Sequence, residues 1–186
     1  MATEAVEAEL GSHAPDFALP GACGQTWSRD DALGPNGLLV MFICNHCPYV
    51  RAVVDRIVRD ARDLAPLGIG VAAISANDPV AYPEDSFGRM AEFARRHDLP
   101  FPYLYDETQA IARAYGAVCT PDFFGFNARL ELHYRGRLDA SGRNPAPADA
   151  RRELFEAMKL VATTGRGPAG QLPSIGCSIK WREAAH

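Results

Sequence analysis

The sequence predicts an α/β fold, a central mixed β-sheet flanked by helices, and three observations lead to this prediction. Leu38 to Ile43 is an uninterrupted apolar run, as expected for a central strand that is covered on both faces. Apolar residues then recur at helical spacing from Val50 to Leu64, and a second apolar run follows at Gly70 to Ser75. Strand, helix and strand in this order form a βαβ unit, whose right-handed crossover places the two strands parallel in one sheet.

Apolar spacing, glycines and prolines predict the remaining elements. In chain order these are a flexible acidic lead over 1–10, an extended segment over 11–20, a helix over 86–97, a strand over 100–105, a short helix to Tyr115, strands over 122–126 and 130–134 with a turn at Asn127, and a helix over 147–163. Asp106 is the predicted N-cap of the short helix, with Gln109 as its capping-box partner. The order β-α-β-α-β-α-β-β-α predicts one domain over 1–186, which ends in a loose Gly- and Pro-rich tail.

Composition and charge exclude several classes of protein. The 186 residues carry a net charge of −4 without a basic block, so we expect neither nucleic acid nor an anionic membrane surface as a partner. No apolar run approaches the roughly 20 residues that a membrane span needs. The first ten residues hold three Glu and no Lys or Arg, unlike a signal peptide, so the cytoplasm is the expected compartment. Thiols there are mostly reduced, and closely spaced cysteines are more often catalytic or metal-binding than structural.

The main candidate site is Cys44-Asn45-His46-Cys47-Pro48, at the junction of the central strand and the helix that follows it. A CxxC at a helix start is typical of dithiol redox chemistry, because the positive end of the helix dipole stabilises a thiolate. The spacing also brings the second sulfur within bonding range, so Cys47 can resolve a mixed disulfide on Cys44. A cationic His46 would stabilise the thiolate form and make the disulfide more oxidising.

Two further segments are candidate parts of the same site. Cys119-Thr120-Pro121 precedes the predicted hairpin, and a cis bond before Pro121 would turn the backbone toward the Cys pair and expose an edge for an extended substrate. Cys177 lies in the tail, which could fold back and deliver a resolving thiol or a metal ligand. Cys23 and the other histidines are interpreted as structural, incidental or surface residues; these histidines are His13, His97, His133 and His186.

Motifs spread over nearly the whole chain carry a family resemblance. They are Ala14-Pro-Asp-Phe17-x-Leu19-Pro20, Cys44-Asn-His-Cys47-Pro48-Tyr49, Tyr82-Pro-Glu-Asp85, Phe101-Pro-Tyr-Leu104, Tyr115-Gly-Ala117, Cys119-Thr-Pro-Asp-Phe-Phe124 and Pro173-Ser-Ile-Gly-Cys-Ser-Ile-Lys-Trp181. Together they resemble the peroxiredoxin-like branch of the thioredoxin superfamily, the small bacterial redoxin-domain or AhpC/TSA proteins. The resemblance implies a thioredoxin-like fold, a redox-active Cys44/Cys47 pair and a cis-Pro121.

The chain is similar to two sub-patterns within that superfamily. The Cys44-x-His-Cys47 form resembles the more oxidising thioredoxin-like proteins, which implies that Cys44 attacks and Cys47 resolves. Cys47-Pro48 resembles the peroxide-attacking Cys-Pro of peroxiredoxins, although Cys44 stands where those proteins have a Thr. The strand position of thioredoxin's buried Asp falls on Met41, so proton transfer is expected to use His46, water or the polar loop that follows the second strand.

Three functions remain open at this point. The leading hypothesis is a thiol–disulfide oxidoreductase, in which the Thr120-Pro121 edge holds an extended disulfide-containing protein, or a small thiol is the substrate. The second is a thiol peroxidase, in which Cys47 attacks a hydroperoxide and Cys44 or Cys177 resolves the sulfenate. The third is metal binding, with the ligands Cys44, His46, Cys47 and Cys177. No nucleotide, flavin or haem motif is present, so no cofactor is expected, and electrons are expected from another thiol protein or a small thiol.

Overall fold

The computed structural model describes residues 2–6 and 9–183, so that His186 lies outside the described part of the chain. The strands are β1 (Ala2–Glu4), β2 (Ala18–Pro20), β3 (Thr26–Ser28), β4 (Gly37–Phe42), β5 (Ile69–Ser75), β6 (Tyr103–Tyr105), β7 (Cys119–Thr120), β8 (Asp122–Asn127), β9 (Leu132–Arg135) and β10 (Ile175–Ser178). The helices are α1 (Arg29–Ala32), α2 (Pro48–Leu64), α3 (Phe87–Arg96), α4 (Ala110–Tyr115) and α5 (Glu153–Thr164). Across the described ranges, no helix combines the length and apolar character needed to cross a membrane.

The central strand β4 has a neighbour on each side. It pairs antiparallel with β8, and β8 pairs antiparallel with β9. On the other side β5 runs in the same direction as β4, because the Asn36 N–H donates to the Gly68 carbonyl and the Ile43 N–H donates to the Ile74 carbonyl. β6 then pairs in parallel with β5. The strand order β9-β8-β4-β5-β6 confirms the predicted mixed sheet.

Both faces of this sheet are covered by apolar packing. Leu39 and Met41 belong to a buried cluster that α2, α3 and α5 complete on one face. Leu38, Val40 and Phe42 belong to a second cluster on the other face, where α4 packs. Successive residues of a strand point to opposite faces, so a strand with two covered faces must be apolar throughout. This burial explains the uninterrupted apolar run in the sequence.

The two ends of the chain differ from the prediction. β1, β10 and β7 form a separate antiparallel sheet in the order β1-β10-β7. The expectation of a lead and a tail without structure is therefore wrong for Ala2–Glu4 and Ile175–Ser178. Strands this short have no measurable periodicity, and their pairing joins residues that are far apart in the sequence. The sequence pattern alone could not have indicated it.

The predicted capping box of the short helix is also wrong. Gln109 has a left-handed backbone conformation, with φ at 62°, and its side chain donates to the carbonyls of Ala76 and Lys180 at 2.6 and 2.9 Å. The Asp106 carboxylate instead accepts the Ala112 N–H at 2.8 Å. Gln109 is therefore one of the residues that fasten the C-terminal tail to the body of the protein.

Smaller differences lie outside the site. The sequence analysis missed the antiparallel β2–β3 pair and the short helix α1, which Ser28 and Asp31 cap reciprocally. The last helix begins at Glu153 rather than at 147, after an irregular loop. Arg56 holds that loop by donating to the Asp139 carboxylate and to the Gly142 carbonyl at 2.6–2.7 Å. These contacts are long-range, which is why the local pattern missed them.

Candidate active site

The Cys pair lies where β4 ends and α2 begins, as the sequence predicted. Cys47 is the N-cap of α2, and Pro48 follows at the first helical position, where a backbone N–H is not needed. All five cysteines are free thiols. The pair is deeply buried: Cys44 is 1% exposed and Cys47 is 0% exposed. The motif places the sulfurs at the helix start, but it contains no information about this burial.

Thr120 contacts both sulfurs from the facing strand. The Thr120–Pro121 peptide bond is cis, as the family resemblance implied. Cys44 Sγ lies 3.5 Å from the Thr120 hydroxyl oxygen, and Cys47 Sγ lies 3.2 Å from the Thr120 carbonyl oxygen. The predicted open edge is wrong, because Thr120 is already paired with Cys177 of β10. The chain's own tail occupies the edge that was expected to hold a substrate.

The two thiols of the pair have pKa values displaced in opposite directions. Hydrogen bonding by the Cys44 thiol, with smaller contributions from Thr120 and Cys177, lowers the pKa of Cys47 to about 4 in spite of its burial. The pKa of Cys44 is raised well above its ordinary value, first by the hydrogen bond to Cys47, then by burial and by the charge of Asp85. These opposite displacements make Cys47, the N-cap of α2, the more acidic thiol of the pair.

Asp85 is a buried carboxylate whose role the sequence analysis did not identify. It lies in a single 3-10 turn before α3 and has no exposed surface. It accepts hydrogen bonds from the Asn45 N–H at 2.8 Å and the Asn77 amide at 2.7 Å, and its Oδ2 lies 2.5 Å from His46 Nδ1. Both residues between the cysteines are thus fixed by one side chain. The sequence analysis named Asp85 only as the last residue of the Tyr82-Pro-Glu-Asp85 motif, and a single Asp in a polar loop resembles a solvated surface residue, so the local pattern did not indicate this contact.

The buried carboxylate comes from a different element than in thioredoxin. Met41, at the strand position that the resemblance assigned to thioredoxin's Asp, is fully buried and lies opposite Phe123 of β8. Asp85 reaches the Cys pair from the loop after β5 instead. The sequence analysis predicted that the polar loop after the second strand could take part in proton transfer. Asp85 is the candidate residue of that loop.

Three potential ligand atoms lie close together at this position. One ligand atom each from Cys44, His46 and Asp85 lies within 4.8 Å of the other two. This set differs from the predicted ligands, since it contains Asp85 in place of Cys47 and Cys177. His46 and Asp85 are already hydrogen-bonded to each other, and Cys44 is the thiol that keeps its proton. A metal ion would have to break that hydrogen bond and displace that proton.

The tail strand β10 places a third cysteine beside the pair. Cys177 lies opposite Thr120 in the antiparallel register, is half-buried, and packs against the apolar cluster that contains Cys44 and Cys47. Burial and hydrogen bonding to Cys47 raise its pKa to about 11. Cys119 is fully buried, and burial raises its pKa strongly, which fits a packing role.

Residues 10–138, which include the Cys pair and cis-Pro121, match the AhpC/TSA family. The chain belongs to the AhpC/TSA family. This AhpC/TSA protein is 43% identical to an uncharacterized conserved protein from Geobacillus kaustophilus, whose crystal structure matches with a TM-score of 0.93 over 100% of this chain and 98% of that chain. A putative peroxiredoxin bcp from Coxiella burnetii is 26% identical over 117 residues, which is 63% of this chain and 72% of that protein.

The thioredoxin-like fold of this AhpC/TSA protein is confirmed by more distant structures as well. A putative thioredoxin from Neisseria meningitidis matches with a TM-score of 0.62 at 21% identity, over 81% of this chain and 90% of that chain. At this level of identity the likeness concerns the fold alone. The family and the fold that the motifs implied are both correct.

Two cavities lie beside the Cys pair of this AhpC/TSA protein. A cavity of about 780 Å³ borders Asn45 and is lined mainly by charged side chains, among them Arg51, Arg89 and Arg96. A second cavity, of about 320 Å³, lies between cis-Pro121 and the tail. Neither Cys44 nor Cys47 lines either cavity. A bulky reactant in these cavities would therefore not touch the sulfurs.

Proposed function

We propose that the chain is a thiol–disulfide oxidoreductase, in which Cys47 is the attacking thiolate and Cys44 is the resolving thiol. The proposal is supported by the position of Cys47 at the N-cap of α2, together with a pKa that is lowered for Cys47 and raised for Cys44. The thiolate is the nucleophile in disulfide exchange, so the charge distribution favours Cys47 as the attacking residue. This order is the reverse of the one that the resemblance to oxidising thioredoxin-like proteins implied.

The proposed reaction has two exchange steps. Cys47 thiolate attacks one sulfur of a substrate disulfide, whose other sulfur leaves as a thiolate and takes up a proton. Cys44 then loses its proton and attacks Cys47 Sγ, which releases the second substrate thiol and leaves a Cys44–Cys47 disulfide. The substrate gains two electrons and the pair loses two. A thiol protein or a small thiol returns the pair to the dithiol form.

Asp85 and His46 are the proposed acceptors of the Cys44 proton. Their ligand atoms lie within 4.8 Å of Cys44 Sγ, and they are hydrogen-bonded to each other. The Asp85 charge keeps the proton on Cys44 while Cys47 is a thiolate. Once Cys47 is bonded to substrate, that thiolate charge disappears and Cys44 can ionise more easily.

Mass spectrometry after equilibration with glutathione redox buffers tests this proposal. Wild type, Cys44→Ser/Cys177→Ser and Cys47→Ser are quenched in acid and alkylated, with Cys23→Ser as the matched control for an exposed cysteine outside the site. We expect a Cys44–Cys47 disulfide in wild type and in the control, and a glutathione adduct on Cys47 in the double variant Cys44→Ser/Cys177→Ser, in which neither neighbouring thiol can displace it. Faster modification of Cys44 in Cys47→Ser would contradict the assigned order. Failure of wild type to form the Cys44–Cys47 disulfide would contradict the function.

A second candidate function, thiol peroxidase, is favoured by the burial of the pair. With exposures of 1% and 0%, the sulfurs are more accessible to hydrogen peroxide than to a protein disulfide. In this scheme the Cys47 thiolate attacks the O–O bond, forming a sulfenate and water, and Cys44 condenses with the sulfenate to give the same disulfide and a second water. Cys47 followed by Pro48 also matches the Cys-Pro of peroxiredoxins.

A stoichiometric peroxide pulse separates the two functions. In Cys44→Ser/Cys177→Ser, a peroxidase accumulates sulfenate or sulfinate on Cys47 faster than on the exposed Cys23 of the same chain. Oxidation of Cys47 no faster than that of Cys23 excludes the peroxidase. The glutathione exchange described above then remains as the activity.

A further inference from the structure

The buried pair raises a question of access. A partner thiol that reduces the Cys44–Cys47 disulfide must reach a sulfur, yet the two residues are 1% and 0% exposed. Cys177 is half-buried and lies at the surface end of the same group of sulfurs. It is the cysteine through which an external thiol can approach with the least movement of the chain.

The strand pairing places Cys177 and Cys47 against the same residue, Thr120. Cys177 lies directly opposite Thr120 in the β10–β7 pair, and the Thr120 carbonyl oxygen lies 3.2 Å from Cys47 Sγ. Residues directly opposite in antiparallel strands have Cα atoms about 4.5–5.5 Å apart. Cys177 and Cys47 therefore both lie against Thr120. Hydrogen bonding between their side chains lowers the pKa of Cys47 and raises the pKa of Cys177.

Gly176 allows the tail strand β10 to lie close against Thr120 of β7. A Cβ at this position would overlap the carbonyl group of Thr120. Only glycine lets the tail lie this close to the Thr120–Pro121 edge, where an extended peptide would otherwise pair. The segment Gly176-Cys177 is thus placed as an extended, cysteine-containing substrate would be.

The tail is also tied to the site by polar contacts. Asn77 donates to the Asp85 carboxylate at 2.7 Å and accepts the Lys180 N–H at 2.8 Å. Gln109 donates to the Lys180 carbonyl at 2.9 Å. On its other edge, β10 pairs with β1 over Ala2–Glu4. These contacts hold Cys177 at Cys47 rather than leaving it on a loose tail.

We propose that Cys177 is a third redox-active thiol, which carries the oxidised state of the buried pair to the surface as a Cys47–Cys177 disulfide. The inference rests on the proposed function, which supplies the Cys44–Cys47 disulfide. Cys177 loses its proton to water and attacks Cys47 Sγ; the Cys44–Cys47 bond breaks, and Cys44 leaves as a thiolate and is protonated. The number of disulfides is unchanged, so this step needs no oxidant.

The disulfide then reacts at the surface. An external thiolate attacks Cys177 Sγ, and Cys47 leaves as a thiolate, which its low pKa favours. A second external thiol attacks the resulting mixed disulfide, releases the oxidised small thiol and regenerates the Cys177 thiol. The external reductant is a small thiol or the thiol of a protein, and it never has to enter the buried site.

The transfer of the disulfide from Cys44–Cys47 to Cys47–Cys177 is called the relay below. Two oxidised variants test it, both in a Cys23→Ser background. Cys44→Ser treated with oxidised glutathione is expected to accumulate the Cys47–Cys177 disulfide, which peptide mapping after acid quenching detects. Oxidised Cys177→Ser is expected to keep its Cys44–Cys47 disulfide but to be reduced by glutathione about tenfold more slowly than the parent. Circular dichroism verifies that each variant is folded.

A pair of glycine variants tests the placement of the tail without altering a thiol. Gly176→Ala should displace β10 and slow reduction as Cys177→Ser does. Gly170→Ala is the matched control, because a Cβ on Gly170 meets no atom within 4 Å. It should be reduced at the parent rate.

The outcomes distinguish the relay from the function on which it rests. Absence of any Cys47–Cys177 disulfide in Cys44→Ser, together with parent-rate reduction of Cys177→Ser, overturns the relay and leaves the Cys44–Cys47 oxidoreductase intact. If the parent itself forms no Cys44–Cys47 disulfide, the proposed function fails. Formation of Cys47–Cys177 in Cys44→Ser still supports the contact in that case, because it does not require the first disulfide.

Discussion

Asp85 Oδ2 lies 2.5 Å from Nδ1 of His46, inside the segment that separates the two cysteines. The same carboxylate accepts backbone N–H groups of Asn45 and His46 at 2.8 and 3.2 Å. The His46 ring stacks on Tyr82, with centroids 5.4 Å apart and planes 7° from parallel. The conformation of the CxxC segment is therefore determined by a loop that lies almost 40 residues further along the chain, as well as by the start of α2.

Replacing Asp85 by Asn tests this role. The amide keeps the size of the side chain but turns one acceptor into a donor that faces the Asn77 amide. We expect a loss of about 1–3 kcal/mol in the free energy of unfolding, the usual effect of leaving buried polar groups unpaired. Urea unfolding of the reduced protein measures it. The exposed Asp149→Asn should unfold as wild type does, and an equal loss in both variants would contradict the assignment.

The same variant should change the ionisation of the pair. Because the charge of Asp85 is one of the causes that raise the pKa of Cys44, its removal should lower that pKa. Alkylation rates of Cys44 in a Cys47→Ser background, followed against pH with and without Asp85→Asn, measure the change. A pH profile that Asp85→Asn leaves unaltered would show that the charge has no influence on Cys44.

The thiolate on Cys47 predicts a defined absorbance change with pH. In a Cys23→Ser background, thiolate absorbance near 240 nm should rise with a midpoint near pH 4, the pKa of Cys47. Cys47→Ser should lack this step. Cys44→Ala should shift it to higher pH, because the hydrogen bond from Cys44 is the largest cause of the low pKa. A wild-type step near the ordinary thiol value of 9.0 would refute the charge distribution.

The free energy of unfolding should depend on pH through the ionisation of Cys44 and Cys47. The pKa of Cys47 is lower in the folded chain than the ordinary 9.0, so its contribution is complete above pH 9 and is lost as pH falls through about 4. The pKa of Cys44 is raised, so its contribution is present below 9.0 and is lost at higher pH. The stabilising effect of the pair should therefore rise from pH 4 to about 9. Urea unfolding of wild type and Cys47→Ser across this range measures the difference, which should widen with pH.

The hydroxyl of Thr120 offers a more conservative change at the same site. Thr120→Val removes the hydroxyl that lies 3.5 Å from Cys44 Sγ and leaves the backbone carbonyl that lies 3.2 Å from Cys47 Sγ. Because this hydroxyl lowers the pKa of both cysteines, the variant should have a higher midpoint for Cys47. Thr163→Val on the exposed face of α5 serves as the control and should leave the midpoint unchanged.

A buried ion pair directly after cis-Pro121 should govern stability near the site. Arg135 Nη2 lies 3.1 Å from Asp122 Oδ2, with side chains 6% and 0% exposed. Arg135→Met leaves the carboxylate buried without its partner, which typically costs about 3–5 kcal/mol. The double variant with Asp122→Asn should recover part of that loss. If the single variant unfolds at the wild-type urea concentration, the pair is not structurally important.

The pH dependence of this pair has the opposite sign to that of Cys47. Burial raises the pKa of Asp122 from 3.8 to about 6, against the attraction of Arg135. Its contribution to stability is therefore present below 3.8 and is lost as pH rises through about 6. Since Arg135 lowers this pKa, Arg135→Met should extend the loss to higher pH. Urea unfolding of wild type and Arg135→Met between pH 4 and 8 tests this shift. Loss of stability over the same pH range in both proteins would contradict it.

Local patterns in the sequence determined the elements closest to the chemistry. The predictions of a strand before Cys44, of a helix after Pro48 and of a short helix that ends at Tyr115 were correct, because each depends on residues within a few positions of one another. The position of the Cys pair at the start of α2 follows from the same patterns. The Thr120-Pro121 dipeptide required the family resemblance, since a Thr-Pro bond by itself is far more often trans.

The tertiary structure alone decided what surrounds the sulfurs. The burial of Cys44, the reach of Asp85 into the CxxC segment and the pairing of Cys177 with Thr120 all join residues that are distant in the chain. Contacts of this kind arise when several elements pack at once, and a single side chain such as Asp85 looks the same in the sequence whether it faces water or a buried amide. The sequence by itself thus determined which residues could carry redox chemistry, and the packing decided how deeply each sulfur is buried and which side chains surround it.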